Sequence, residues 1–141
     1  MLERDLNSCL IEIWAAFMKK KKFDSELLTK LDKRARLEIR AGSTHRFIPI
    51  WSVVVQGRVF VRSWSLKPRS WYRTFLEEPQ GAIRVDDQEI PVRAVHTRSE
   101  ALKDRIDKAY LQKYNSPGSI KYARDLGRKK SRDATIELLP L

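Results

Sequence analysis

The stretch F-I-P-I-W-S-V-V-V-Q-G-R-V-F-V-R-S-W, from Phe47 to Trp64, decides the fold. Phe47 to Val55 is dense in β-branched and aromatic residues, the composition of a strand on a packed, pleated surface. Gln56-Gly57 is a hairpin-compatible pair. Arg58 to Trp64 then alternates, with Val59, Val61 and Ser63 on one face and Arg58, Phe60, Arg62 and Trp64 on the other. The reading is two antiparallel strands joined by a tight turn. Pro49 cannot donate to a ladder, which places it at an edge or a bulge.

The exit of this hairpin concentrates chemistry. Arg62, Ser63 and Trp64 end the second strand, a loop carries Lys67 and Arg69, and Trp71-Tyr72-Arg73 opens a helix. Cations, a hydroxyl and flat rings at one strand end suit a ligand with a phosphate at one end and a planar ring at the other. Arginine forks match phosphate oxygens, and aromatic walls match a ring. Each residue also has a plainer role. Trp51 reads as core or as ring platform, Arg62 could pair with Glu77 or Glu78, and Lys67 and Arg69 could belong to a solvated loop.

Upstream, Asp24 caps a helix, Phe23 staples onto Leu28, and Leu27, Leu28, Leu31 and Ala35 share a face. Leu37-Glu38-Ile39-Arg40 alternates as a strand, and Ala41 to Thr44 is a turn. Downstream, Trp71–Leu76 is a short helix that stops near Pro79 and Gly81. Strands follow at Ala82–Val85 and Glu89–Val95, with a turn at Asp86-Asp87-Gln88 between them. Ser99 caps a helix whose stripe is Leu102, Ile106, Tyr110 and Tyr114. A second helix starts at Ser116-Pro117 and ends at Gly127. Arg128–Arg132 is a basic loop, and Ala134–Leu139 is a last strand. The sum is mainly β (α+β): about six mostly antiparallel strands with flanking helices.

A chain of 141 residues supports one domain with one core. Its 29 Lys and Arg outnumber 18 Asp and Glu, a net charge of +11, which points to anionic partners and says nothing of fold. Cys9 is the only cysteine, so no internal disulfide or multi-cysteine metal site forms, and the simple location is the reducing cytoplasm. His45 and His96 show no metal-ligand spacing, and no metal is expected. The five glycines are scattered, with neither a P-loop nor G-x-G-x-x-G. Cys9 has no local cation or histidine to activate it. Ser63 lacks a nucleophile-elbow context.

Residues 1–22 read apart from 23–141. Leu10–Met18 is apolar apart from Glu12 and is far too short for the ~20 residues of a membrane span. Its positive charges, Lys19 to Lys22, follow the apolar run rather than precede it, which rejects a secretory signal. An amphipathic helix, a membrane-surface anchor, or an extension from a misplaced start upstream of Met18 all stay open.

On these motifs the chain resembles the flavin-binding split-barrel superfamily, which includes pyridoxamine phosphate oxidases and deazaflavin-dependent nitroreductases. More closely, it is similar to a bacterial family of small split-barrel proteins known as a domain of unknown function. The likeness rests on Pro49-Ile50-Trp51, Val61–Trp64, Trp71-Tyr72-Arg73, Gly81–Val85, Asp104–Tyr114 and Ala134–Pro140. It implies a split β-barrel, homodimeric, with an FMN or deazaflavin cofactor in a cleft and an oxidoreductase acting on an unidentified small molecule. Carried onto this sequence, the cofactor-binding set is Trp51, Arg62, Ser63, Trp64, Lys67, Arg69, Trp71 and Arg73. Pro68 interrupts the usual phosphate-binding pattern between Lys67 and Arg69. The competing reading is a basic module for nucleic acid or another polyanion, carried by Lys19–Lys22 and Arg128–Arg132. A cofactor-free barrel is the third.

Overall fold

The computed structural model describes residues 22–141. The apolar run Leu10–Met18, Cys9 and Lys19–Lys21 lie outside the described residues. In chain order the elements are α1 (Ser25–Lys33), β1 (Leu37–Ala41), β2 (Ile48–Ile50), β3 (Ser52–Val55), β4 (Arg58–Arg62) and α2 (Trp71–Glu77). They continue with β5 (Gln80–Val85), β6 (Gln88–His96), α3 (Glu100–Lys113), α4 (Ile120–Leu126), α5 (Lys129–Arg132) and β7 (Thr135–Pro140).

The local signals behave as their chemistry requires. Asp24 accepts from the Leu27 N–H at the start of α1, and Ser99 accepts from the Leu102 N–H at the start of α3. Gln56 and Gly57 both adopt positive φ, 55° and 71°, and join β3 to β4 through a two-residue turn. Gly81 in β5 is close-packed: a Cβ there would lie 2.2 Å from the Arg40 carbonyl oxygen and 2.8 Å from the Phe75 ring.

All seven strands form one antiparallel sheet in the order β2-β1-β5-β6-β7-β4-β3. Its two edges, β2 and β3, are separated in sequence by Trp51 alone. Two residue steps span at most about 7 Å, so the edges must meet and the sheet curls into a nearly closed barrel. The run Phe47–Val55 is therefore two strands rather than one, which brings the expected sheet of about six strands to seven. Pro49 sits in the edge strand β2, where its missing donor costs no ladder bond. Two helical expectations shift as well. The second C-terminal helix begins at Ile120, after a turn at Ser116–Ser119, and Lys129–Arg132 is a short helix rather than a loop.

Leu37, Ile39, Val59, Val61, Ile83, Val92, Ile136 and Leu138 fill the barrel, and Trp71, Tyr72 and Phe75 of α2 join them. A second cluster covers the outside of β3 and β4: Val53 and Phe60 pack under Ile106, Tyr110 and Tyr114 of the α3 stripe and Ala123 and Leu126 of α4. Strand β4 is thus buried on both faces, and Phe60 and Arg62 point outward under helices rather than into water.

The crossing at Trp51 leaves peptide groups that neither ladder can satisfy, and the end of α3 supplies their partners. The Tyr114 hydroxyl accepts from the Ser52 N–H and donates to the Ala35 carbonyl. Lys113 Nζ donates to the Ser52 and Leu31 carbonyls at 2.7 and 2.8 Å. The Trp51 and Tyr114 rings stack with centroids 3.9 Å apart and planes within 2°, an arrangement worth about 0.5–1.5 kcal/mol beyond burial.

This brace carries a pH signature. Burial pulls Lys113 down to about 8, against an ordinary 10.5, with Asp32 opposing part of the effect. Between those values the unfolded chain binds more protons than the native one, so stability from this residue rises with pH across that window. Burial pushes Tyr114 up to about 12 and acts in the opposite sense above its ordinary 10.0. Urea unfolding at about pH 7.5 and about pH 9.5 should therefore show the wild type gaining stability relative to Lys113→Met as pH rises. A difference independent of pH would mean that the ammonium keeps its water.

Candidate functional site

The loop from Ser63 to Ser70 leaves β4 at the point where the barrel interior meets α2 and α4. Its own polar groups fold it. The Ser63 hydroxyl donates to the Ser65 carbonyl at 2.6 Å, and Ser65 Oγ accepts from the Lys67 N–H. Ser70 caps α2 by accepting from the Arg73 N–H. Arg73 Nε donates to the Leu66 carbonyl at 3.0 Å. Across from this loop, the His45 ring spans two segments, with its nitrogens 2.9 Å from the Arg46 carbonyl oxygen and 3.3 Å from that of Arg69.

Between these segments lies a cleft of about 1190 Å³. Strand β2, Trp51, residues of the 63–70 loop, Trp71 and the α4 residues Tyr122 and Leu126 line it. Trp64, 47% exposed, meets Tyr122, 38% exposed, edge to face at 5.1 Å. Arg36, Arg46, Lys67 and Arg69 also line the cleft, and all four are exposed. No Asp or Glu is in its lining, and none of the four side chains has an ion-pair partner among the described residues. Nearby Arg34, by contrast, pairs with Asp86 at 2.7 Å. A cavity of this size, apolar in the main with a few convergent polar groups, has the form of a small-molecule site.

Of the eight residues singled out from sequence, Trp51, Arg62, Ser63, Trp64, Lys67, Arg69 and Trp71 line this cleft together, Arg62 through its backbone alone. Two do not serve as expected. Arg73 lies outside the lining, and its Nε is turned to the Leu66 carbonyl. The Arg62 side chain has no exposed surface, and four of its five N–H donors are taken. Its Nε donates to Thr135 Oγ1, Nη1 to Asp107 and the Leu126 carbonyl, and Nη2 to the Lys103 carbonyl. It pairs with Asp107 rather than with Glu77 or Glu78. A phosphate approaching Arg62 would have to displace bonds that already repay the desolvation of the charge, so Arg62 is a strut and leaves the ligand set.

Asp107 is shared with Arg132, which also reaches Glu100 and Asp104. The network thus ties β4 and β7 to α3, α4 and α5. Sequence reasoning missed Arg36, His45, Arg46 and Tyr122, which come from segments distant in sequence from the 63–70 loop. No periodicity or motif marks them; only the pairing of β1 with β2 and the docking of α4 bring them to the cleft.

The sequence profile of a family described as uncharacterized proteins conserved in bacteria, DUF2255, matches residues 27–138. The chain belongs to that family. No curated protein matches the sequence. Among solved structures, the chain is similar to a Listeria innocua protein assigned as a pyridoxamine 5'-phosphate oxidase. The TM-score is 0.53 at 11% identity, over 82% of this chain and 90% of that one. It is similar also to a conserved hypothetical protein of Mycobacterium tuberculosis, with a TM-score of 0.52 at 10% identity, over 86% and 82%. At such identities the likeness establishes the fold, a split barrel, and not the chemistry. No helix among the described residues is long and apolar enough to cross a membrane.

Arg62→Ala should lower unfolding free energy by about 3–5 kcal/mol in urea titrations, because it strips partners from Asp107, Thr135 and two buried carbonyls. Arg62→Lys should recover little of that loss, since lysine lacks the fork. Arg69→Ala should stay within about 0.5 kcal/mol of the wild type. A loss below about 1 kcal/mol for Arg62→Ala would show that the network is dispensable.

Proposed function

We propose that this protein binds a flavin or deazaflavin in the cleft and is an oxidoreductase acting on a small molecule. The observation that carries the reading is the pairing of unneutralised cations with an aromatic lining. Lys67 and Arg69, joined by Arg46 through the His45 link, present charge and N–H donors suited to a phosphate. Trp51 and Trp71 give apolar walls suited to a planar ring. The donor set therefore fits such a cofactor. Once bound, a flavin supplies hydride or electron transfer, and the protein supplies placement and electrostatics. Tyr114 fixes the Trp51 ring, the 63–70 loop presents the cations, and the exposed Trp64–Tyr122 pair flanks the opening. The same reading takes the protein as a homodimer, as the split-barrel resemblance implies, and as cytoplasmic, in keeping with its single cysteine.

A polyanion-binding role is the competing reading. Arg105, Lys108, Lys121, Arg124 and Lys130 are exposed on α3 to α5, and none has an ion-pair partner among the described residues. It calls for affinity to random single-stranded DNA that falls steeply with salt.

Visible absorbance and thermal melting, recorded with FMN and with a deazaflavin, decide the matter. Binding should raise the melting temperature in proportion to the logarithm of ligand excess. The double variant Lys67→Gln/Arg69→Gln should weaken that affinity at least about tenfold while melting normally without ligand. No spectral change and no shift with either cofactor would sink the proposal.

A further inference from the structure

Strand register orients the cleft. In the β1–β2 ladder Leu37 faces Ile50 and Ile39 faces Ile48. Arg36, one residue before Leu37, therefore falls beside Trp51 at one end of β2. Arg46, two residues before Ile48, falls at the other end. The five residue steps from Arg46 to Trp51, at about 3.3 Å each, separate the two ends by up to about 17 Å. The His45 ring reaches the Arg69 carbonyl and so places Arg46 at the Arg69 end of the 63–70 loop, whose start at Ser63 lies by the Trp51 seam. The four exposed cleft cations are thus divided unequally. Arg46 and Arg69, with Lys67 two residues before Arg69, mark one pole, and Arg36 is the exposed cleft cation at the barrel seam, where Arg62 is enclosed and Lys113 is held on the Ser52 carbonyl outside the lining.

A phosphate monoester carries about −1.5 to −2 charges near neutrality. The three-cation pole matches that charge without help from Arg36. The planar end of the same ligand then extends toward the seam, where Trp51 offers its apolar surface. An oxidised flavin ring is neutral; two electrons and one proton leave it with a net negative charge. A fixed cation near that ring lowers the free energy of the reduced form relative to the oxidised form.

We propose that Arg36 is the ring-end cation of the cleft, raising the reduction potential of a bound flavin, while Arg46 belongs with Lys67 and Arg69 in holding its phosphate. The proposal rests on the flavin reading above and adds to it a polarity and a residue that acts on the reactive end. Its two halves predict opposite effects of two arginine substitutions in one lining. Arg36→Gln should leave FMN affinity within about threefold and make the potential of the bound flavin more negative. Arg46→Gln should weaken FMN at least about tenfold and leave the potential unchanged. Riboflavin, which lacks the phosphate, should be indifferent to Arg46→Gln.

The experiment is dithionite titration of the FMN-loaded full chain against a reference dye, with dissociation constants from absorbance for FMN and riboflavin. A tenfold change in the relative stability of the two redox states reads as about 30 mV for a two-electron couple. FMN loading with an Arg36→Gln potential equal to that of the wild type would overturn this proposal and leave the binding reading intact. Failure of the wild type to bind FMN or riboflavin would overturn both. Exchanged behaviour of the two variants would show that the ligand lies the other way round, against the proposal.

Discussion

One residue carries the chain from one edge of the sheet to the other. Because β2 and β3 are joined by Trp51 alone, the sheet cannot remain open. The crossing strands peptide groups off both ladders, and buried polar groups of that kind are costly without partners. Tyr110, Lys113 and Tyr114 meet the cost from outside the barrel, so α3 is fixed to the seam as firmly as to the apolar face of β3 and β4. Trp51 then lines the cleft because it is where the barrel closes.

Burial divides residues of the same chemical type into different roles. Arg62 and Arg69 lie within one short segment, yet one is enclosed and the other is in water. Strand β4 is covered on both faces, and a guanidinium there is stable only when its donors are satisfied; Asp107, Thr135 and two carbonyls do so. Past the strand end, Lys67 and Arg69 stand exposed on the loop. Lys67 and Arg69 keep their hydration and remain available, with no acid in the cleft to neutralise them. Carboxylates pair with Arg62, Lys103, Lys129 and Arg132 around α3 and α5, whereas the exposed cleft cations meet none.

The alternation of β4, the Gln56-Gly57 turn, the Asp24 and Ser99 caps and the Leu102–Tyr114 stripe were legible because each rests on local geometry. The break at Trp51 was not, since Phe47–Val55 has an unbroken strand composition and only the pairing of its two halves with different neighbours divides it. The site was half legible for the same reason. Residues 63–71 are contiguous and could be grouped by eye, whereas Arg36, Arg46 and Tyr122 reach the cleft through β1–β2 register and α4 docking. Arg62 was misread because a strand pattern shows which way a side chain points but not what covers it.

The sequence by itself determined the local elements, the family and the clustering of cations and rings after one strand, because these depend on nearest neighbours and chain order. Tertiary structure alone decided which cations stay in water, which residues meet across the cleft and which end of it is the more positive. Those properties depend on strand pairing, burial and partner supply over long sequence separations, and no local pattern encodes them.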